Sequence, residues 1–156
     1  MPNPTPSERL RELGITLPAV ATPAGAYIPA RRTGNLVFTA GQVPFVDGEL
    51  AATGKVGAEV DAEEANRLAR ICTLNALAAV DGLVGIDAVT GVVKVVGFVA
   101  SATGFTGQPG VVNGASDLLG EVFGEAGAHA RSAVGVAELP LGAPVEVELV
   151  VEVAGT

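Results

Sequence analysis

The last segment of the chain alternates between apolar positions and positions that are mostly acidic. Every second residue from 145 to 153 is apolar: Val145, Val147, Leu149, Val151 and Val153. Most of the residues between them are glutamates, namely Glu146, Glu148 and Glu152. A period of two is typical of a β-strand that buries one face. We therefore predict a strand whose valine face packs against helices and whose glutamate face points the other way.

Residues 61–84 follow a different period. Asp61 and Glu64 have the spacing of a capping box, which marks the start of a helix. Apolar and small residues then recur at steps of three and four: Ala65, Leu68, Cys72, Ala76, Ala79 and Leu83. This stripe predicts a long amphipathic helix with one buried side. Cys72 lies on the stripe, so it is expected to be a buried core thiol.

The remaining elements are shorter. They are a helix over residues 8–13 capped by Ser7, a hairpin within 26–39 that turns at 33–34, an apolar strand at 92–100 covered on both faces, a helix at 111–125 and a strand at 131–139. The order ββ-α-β-α-ββ is typical of an α+β domain with two helices on one face of a mixed sheet. Residues 1–14 are interpreted as an N-terminal tail with a short helix, and 15–156 as a single domain.

The strand at 131–139 has one face of small residues. Arg131 shares that face with Ala133, Gly135 and Ala137. Small residues allow another backbone to approach closely, so we predict that this face lies beside the glutamates and contacts a second subunit. A solvated sheet surface is the alternative. The Pro- and Gly-containing turn at 140–144 predicts a hairpin between the last two strands, which would place Glu146 more than roughly 20 Å from Arg131 within one chain.

Charge and composition narrow the class of function. The 156 residues include 9 Lys and Arg and 17 Asp and Glu, for a formal net charge of −8. The basic residues are scattered, unlike the basic patch that holds a nucleic acid. The sequence has neither a secretory signal nor the ~20 apolar residues of a membrane span. One cysteine suits a reducing compartment. We expect a cytoplasmic protein that binds neither nucleic acid nor membrane.

Several segments together resemble the Rid family of reactive-intermediate deaminases, also known as endoribonuclease L-PSP. They are GNLVFTAGQVP at 34–44, the long helix with Asn75, VVKVVGFVA at 92–100, Asn113 in the second helix, and ARSAVGVAELP followed by VEVELV within 130–150. They occur in family order over residues 25–153, and the last segment is the most specific. The resemblance implies a chorismate-mutase-like fold, a single Rid-like domain and a homotrimer with sites in clefts between subunits.

The resemblance also implies a reaction. Family members with the matching arginine hydrolyse small enamine and imine carboxylates, of the 2-aminoacrylate type, to 2-oxo acids and ammonia without a metal or organic cofactor. Arg131 would hold the substrate carboxylate, because a planar guanidinium can donate two parallel hydrogen bonds. Glu146 would position the attacking water. The substrate site would be lined by Tyr27, Gly41, Ala133 and Asn113, the last chiefly by holding the fold.

These residues also have simpler interpretations. Arg131 would otherwise be a strand-end arginine that is solvated or paired with an acid, and Glu146 one of three glutamates on a wet strand face. Tyr27 would be an ordinary packing residue. His129 is the only histidine, so we predict neither a metal site nor a nucleophile dyad from it.

The chain also departs from the family pattern. Ala40 stands where many members have serine, Ala133 stands where Cys or Thr is common, Gly-Ala-Tyr replaces Gly-Pro-Tyr, and the loop at 101–110 is longer and richer in glycine. These differences indicate a divergent subgroup. Two further functions stay open: a trimer that binds small carboxylates without turnover, and a ribonuclease. The acidity, the single histidine and the scarcity of aromatic residues disfavour the ribonuclease.

Overall fold

A computed structural model describes residues 2–155, and its central element is a five-stranded mixed sheet. The strands lie in the order β1-β2-β7-β5-β6, and only the pairing of β5 with β6 is parallel. Their bounds are β1 Ala30–Thr33, β2 Leu36–Thr39, β5 Val89–Ala100, β6 Ala130–Val136 and β7 Val145–Val153. A separate hairpin joins β3 (Phe45–Val46) to β4 (Glu49–Leu50).

Three α-helices of the described residues accompany the sheet: α1 Pro6–Glu12, α2 Ala62–Val84 and α3 Gln108–Phe123. The start of α2 is confirmed, because the Asp61 side chain accepts a hydrogen bond from the Glu64 N–H at 2.8 Å. The predicted cap of α1 is wrong: Thr5 caps this helix, and Ser7 instead donates from Oγ to Asp87 at 2.6 Å. Among residues 2–155, no helix combines the length and apolarity needed to cross a membrane.

The core lies between the sheet and the helices α2 and α3. The valine face of β7 is no more than 1% exposed at any of its five apolar positions, which confirms the alternation read from the sequence. Cys72 is fully buried, and its Sγ donates weakly to the Val145 carbonyl at 3.6 Å. Leu83 departs from the predicted stripe and is 46% exposed, because it lies in the last turn of α2.

No helix of the described residues lies over the opposite face of the sheet. Besides the glutamates it carries apolar side chains that are exposed or half-buried: Phe38, Val96, Phe98, Val134 and Val150. We expected β5 to be covered on both faces. Within this chain, only the face toward the helices is covered. We refer to this surface as the open face.

The predicted hairpin between the last two strands is wrong. β5 lies between them, parallel to β6 and antiparallel to β7. Arg131 is paired with Val95 and Ala133 with Gly97, and both partners point toward the helices. The small-residue face of β6 therefore lies on the helix side and not beside the glutamates. β6 is instead an edge strand of the sheet.

Candidate functional site

Arg131 is half-buried where the edge strand β6 passes the first turns of α3. Its Nη1 donates to Asn113 Oδ1 at 2.7 Å and to Ser116 Oγ at 3.2 Å. Its Nη2 donates to the Pro109 carbonyl at 3.3 Å. These four residues form the arginine half-site. Asn113 therefore contacts Arg131 directly.

All three acceptors around Arg131 are neutral. Among residues 2–155 no carboxylate lies within ion-pair distance of this guanidinium, so the interpretation as an arginine paired with an acid does not hold. A guanidinium has five N–H groups, and the three contacts leave the Nε–H and one Nη2–H. Nε and Nη2 lie on one edge of a guanidinium, and this edge can donate two parallel hydrogen bonds to a carboxylate. The half-site therefore holds a positive charge in place without neutralising it.

The sequence did not predict the role of Ser116 in this half-site, nor the contact between Ser116 and His129 behind it. Ser116 Oγ lies 2.8 Å from Nε2 of His129, and Nδ1 of His129 lies 2.6 Å from the Gly127 carbonyl. The sequence spacing of these residues did indicate which side chains share a face. Ser116 comes three residues after Asn113 on α3, so both share one side of the helix. His129 comes two residues before Arg131 in extended chain, so both point to the same side.

A second group of predicted residues surrounds Glu146 on the open face. Tyr27, Gly41 and Glu146 line one cavity of about 290 Å³. A Cβ at residue 41 would lie 2.7 Å from Cδ of Glu146, so only glycine allows the carboxyl group to rest against this backbone. Tyr27 Oη accepts a hydrogen bond from the Ala24 N–H at 3.2 Å, which fixes the phenol at the cavity. These three residues form the glutamate half-site.

The surroundings of Glu146 change its acidity. Burial raises the pKa of Glu146 above the usual carboxyl value, and the nearby charge of Glu148 raises it further. On the other side of the sheet, burial raises the pKa of the Cys72 thiol well above its ordinary value. Cys72 is therefore an unreactive core residue, whereas Glu146 is a carboxyl group able to exchange a proton nearer to neutral pH.

The raised pKa of Glu146 has a consequence for stability. Between the unfolded and folded pKa values the folded protein binds more protons, so this group makes stability fall as the pH rises through that window. Glu146→Gln removes the effect. We expect this variant to melt at or above the wild-type temperature at pH 7, and the difference to shrink toward about pH 4. Thermal unfolding at both pH values checks this, and a variant clearly less stable than wild type at pH 7 would contradict it.

The two half-sites are separate within one chain. On β5, Arg131 is paired with Val95 and Glu146 with Phe98, so two strand spacings and three residues lie between them. At roughly 4.8 Å per strand and 3.3 Å per residue, their Cα atoms are roughly 14 Å apart. Their side chains leave the sheet on opposite faces. The distance between Arg131 and Glu146 is shorter than the predicted hairpin implied. Their side chains still cannot contact the same small molecule within one chain.

The last predicted site residue, Ala133, is partly buried and packs against the core. Its backbone lies one pleat beyond Arg131 on the same face of β6. Within the described part of the chain, no three His, Cys, Asp or Glu side chains gather as the ligands of a metal ion would.

Comparisons with known proteins agree with the architecture. The family described as YjgF/chorismate mutase-like, putative endoribonuclease, matches residues 7–153. Protein TCP17 of Trypanosoma cruzi is 45% identical over 145 residues, which cover 92% of this chain and 91% of TCP17. Crystal structures provide further similar proteins. One, described as a putative endoribonuclease from Shewanella oneidensis MR-1, superposes with a TM-score of 0.93 at 34% identity over 96% of this chain and 100% of its own.

Atu1372 of Agrobacterium tumefaciens, described as having unknown function, gives a TM-score of 0.86 at 43% identity over 96% of this chain and 92% of its own. The family match spans all five strands of the sheet, both long helices and both half-sites. The chain therefore belongs to the YjgF/chorismate mutase-like family, in agreement with the resemblance to Rid proteins seen in its sequence.

Proposed function

We propose that this protein is an imine deaminase that converts small enamine and imine carboxylates to 2-oxo acids and ammonia. The observation that carries the proposal is the guanidinium of Arg131, which is oriented by three neutral acceptors and has no carboxylate partner among the described residues. In a chain with a net charge of −8, an arginine kept unpaired is suited to an anionic ligand. The carboxylate of a substrate would occupy the remaining fork.

The complete site would form between two copies in a homotrimer. Two surfaces support this assembly. β6 is an edge strand of seven residues that is rich in small side chains, and no other described strand pairs with its outer edge; such edges are suited to contact with another chain. The open face carries exposed Phe38 and Val134 in addition to Glu146, and apolar sheet faces are stabilised when a partner covers them. The arginine half-site of one copy would then face the glutamate half-site of the next.

Such a site would perform hydrolysis in two steps. With the carboxylate on Arg131, Glu146 orients a water molecule and accepts its proton as the oxygen adds to the imine carbon. The C=N electron pair takes up a proton on nitrogen, giving a tetrahedral carbinolamine. Loss of the protonated nitrogen as ammonia, with deprotonation of the hydroxyl, leaves the 2-oxo acid. The raised pKa of Glu146 suits a group that accepts and returns one proton. Gly41, whose N–H has no acceptor among residues 2–155, would donate to the substrate.

A second candidate is a trimer that binds small carboxylates without turnover. It is favoured by the absence of side-chain hydroxyl or thiol groups at Ala40 and Ala133. It uses Arg131 but not Glu146. The ribonuclease named in the family description is disfavoured, because the arginine half-site holds one isolated cation and the chain is strongly acidic.

One set of measurements separates the three functions. An imino acid is generated in situ from an amino acid by an oxidase, and the 2-oxo acid and ammonia are followed with and without the protein. We expect faster release with wild type and the background rate with Glu146→Gln. Saturable binding of 2-oxobutyrate in calorimetry without any acceleration would replace the deaminase by the binder. RNA cleavage that persists through repurification and is lost with Arg131→Ala would favour the ribonuclease.

A further inference from the structure

Two polar side chains behind Arg131 have no part in the proposed reaction steps. Ser116 on α3 lies between the arginine and His129, the single histidine of the chain. The Oγ atom of Ser116 is 3.2 Å from Arg131 Nη1 and 2.8 Å from His129 Nε2. The other ring nitrogen of the histidine, Nδ1, is 2.6 Å from the Gly127 carbonyl oxygen. We refer to Arg131, Ser116, His129 and Gly127 as the relay.

The direction of each hydrogen bond in the relay follows from its two ends. At one end a guanidinium only donates, so Ser116 Oγ accepts from Arg131. At the other end a carbonyl oxygen only accepts, so His129 carries a proton on Nδ1 and donates it to Gly127. In the neutral imidazole Nε2 then has a free lone pair, to which the serine hydroxyl donates. One tautomer of the histidine therefore gives every donor of the relay an acceptor.

The carbonyl group that ends the relay is held by backbone packing. Gly127 is buried, and a Cβ at this position would lie 2.8 Å from the carbonyl carbon of Leu119. Only glycine allows the chain to rest so closely on the backbone of α3. Ser116 and Leu119 are three residues apart on that helix and therefore lie on the same side of it. Helix α3 thus places the serine directly and places the histidine through Gly127.

The relay completes the set of acceptors around one nitrogen of the guanidinium. Nη1 of Arg131 has two hydrogens, and it donates to Asn113 Oδ1 at 2.7 Å and to Ser116 Oγ. A serine hydroxyl rotates about its Cβ–Oγ bond, so its lone pairs face Nη1 only when its hydrogen points elsewhere. The lone pair of His129 Nε2 draws the hydrogen away from the arginine. The hydrogens that stay available to a ligand are then those of Nε and Nη2.

We infer that Ser116 and His129 are positioning residues for Arg131. This inference rests on the carboxylate role that the proposed function gives to the arginine. A guanidinium that is held before the ligand arrives loses less conformational freedom on binding. The hydrogens of the serine and the histidine are already used within the relay, so neither residue donates to the ligand. Both therefore act on the affinity for a carboxylate and not on the chemical step.

Calorimetric titration with 2-oxobutyrate tests the serine without requiring turnover. Ser116→Ala is expected to weaken binding about 3- to 10-fold, the range for one lost hydrogen bond. Ser116→Thr keeps the hydroxyl and should restore most of the affinity. The neutral amide 2-oxobutyramide has no carboxylate for the guanidinium to bind, so its affinity should be the same for wild type and both variants.

The matched control for Ser116 is Ser7. This residue is also half-buried, and its Oγ donates to the charged side chain of Asp87 at 2.6 Å, but it belongs to neither half-site. Ser7→Ala should bind 2-oxobutyrate as wild type does. In the deaminase assay Ser116→Ala should raise KM several-fold and leave kcat within about twofold, whereas Ser7→Ala should change neither constant.

Nitrogen NMR tests the histidine directly. Because the chain has one histidine, protein without a histidine tag gives imidazole signals from His129 alone. At about pH 8.5, where an imidazole is ordinarily neutral, we expect the ring proton on Nδ1. Addition of 2-oxobutyrate should shift the Nε2 signal of wild type, because the ligand and the histidine are linked through Arg131 and Ser116. The same addition to Ser116→Ala should leave that signal nearly unchanged, because the link is broken.

Several results would overturn this role. Equal weakening of acid and amide, or failure of Ser116→Thr to restore affinity, would indicate general packing. A loss of kcat at constant KM would place the serine in the chemical step. A ring proton on Nε2, or a His129→Phe variant that binds 2-oxobutyrate as wild type does, would remove the histidine from the relay.

The behaviour of wild type separates this inference from the proposed function. If wild type binds 2-oxobutyrate and Ser116→Ala binds it equally well, the positioning role fails and the carboxylate role of Arg131 stands. If wild type does not bind 2-oxobutyrate at all, the carboxylate role fails, and both this inference and the proposed function fall.

Discussion

Arg131→Ala is expected to lower kcat/KM for an imino acid by a factor of roughly 10² to 10³. The variant loses two charge-assisted hydrogen bonds to the substrate carboxylate, together worth about 3–4 kcal/mol. Arg131→Lys should recover part of the loss, because an ammonium keeps the charge but not the planar fork. Loss of orientation adds to the effect, since the imine carbon would no longer be held beside the water.

The matched control for Arg131 is Arg67. Arg67 is an exposed arginine of α2 that donates two hydrogen bonds to Glu64, at 2.7 and 3.0 Å. Arg67→Ala changes the net charge by the same amount and touches neither half-site, so its kcat/KM should equal that of wild type. Equal losses in both variants would mean that the overall charge, and not a carboxylate fork, governs activity. Full activity of Arg131→Ala would remove the arginine from the site.

Gly114→Ala is expected to produce the largest loss of stability among single-methyl substitutions. A Cβ at this position would lie 2.0 Å from the Asn66 carbonyl oxygen and 2.9 Å from its carbonyl carbon. Both atoms belong to the backbone of α2, so the two helices must separate. The nearby bond from Asn66 Nδ2 to the Gly110 carbonyl, at 2.8 Å, would be strained as well. We expect a loss of about 3 kcal/mol, at the upper end for an overpacked core.

The same helix supplies the control for Gly114. A Cβ at Gly120 would meet no atom within 4 Å, and Gly120→Ala should stabilise the protein by about 0.5–1 kcal/mol, because glycine loses more freedom in a helix. Thermal melting of both variants at one protein concentration checks the pair, since the proposed assembly would make the midpoint concentration-dependent. If Gly114→Ala has the same melting temperature as wild type, the close contact of α2 with α3 is absent in solution.

The elements themselves were largely predictable from local patterns. The apolar residues of strand β7 recur at every second position, and those of helix α2 recur at steps of three and four. Such periods depend only on residues that are close together in the sequence. The cap of α2 followed from Asp61 and Glu64 in the same way. The cap of α1 was assigned to Ser7 instead of Thr5, because two hydroxyl residues are adjacent to the helix and only the contact with Asp87 distinguishes them.

The position of β6 could not be read from local patterns. The turn at 140–144 contains residues typical of a hairpin, yet it carries the chain past β5 instead. Which strand lies at the edge depends on long-range pairing that the turn does not encode. For the same reason, the sequence did not predict that Arg131 lies on the helix side of the sheet. The contact between Ser116 and His129 joins α3 to the segment before β6, so it too appears only once the strand is placed.

The candidate site was predicted as a set of residues but not as a geometry. The family resemblance named these residues as members of one site. In the structure Tyr27, Gly41 and Glu146 line one cavity, and Asn113 instead contacts Arg131. That the two groups lie on opposite faces of one sheet follows only from the strand order. Under the proposed function a complete site needs two chains, and this is the claim on which that function depends.

Mixing two inactive variants tests that claim most directly. Arg131→Ala and Glu146→Gln each lack one half-site, and each is refolded alone and as an equal mixture of the two. If one copy supplies the arginine and the next supplies the glutamate, random mixing in a homotrimer restores about one quarter of the sites. We predict that the mixture recovers about one quarter of wild-type deaminase activity while each variant alone stays at background. A mixture that assembles as a trimer but is no more active than its separate components would contradict the shared site.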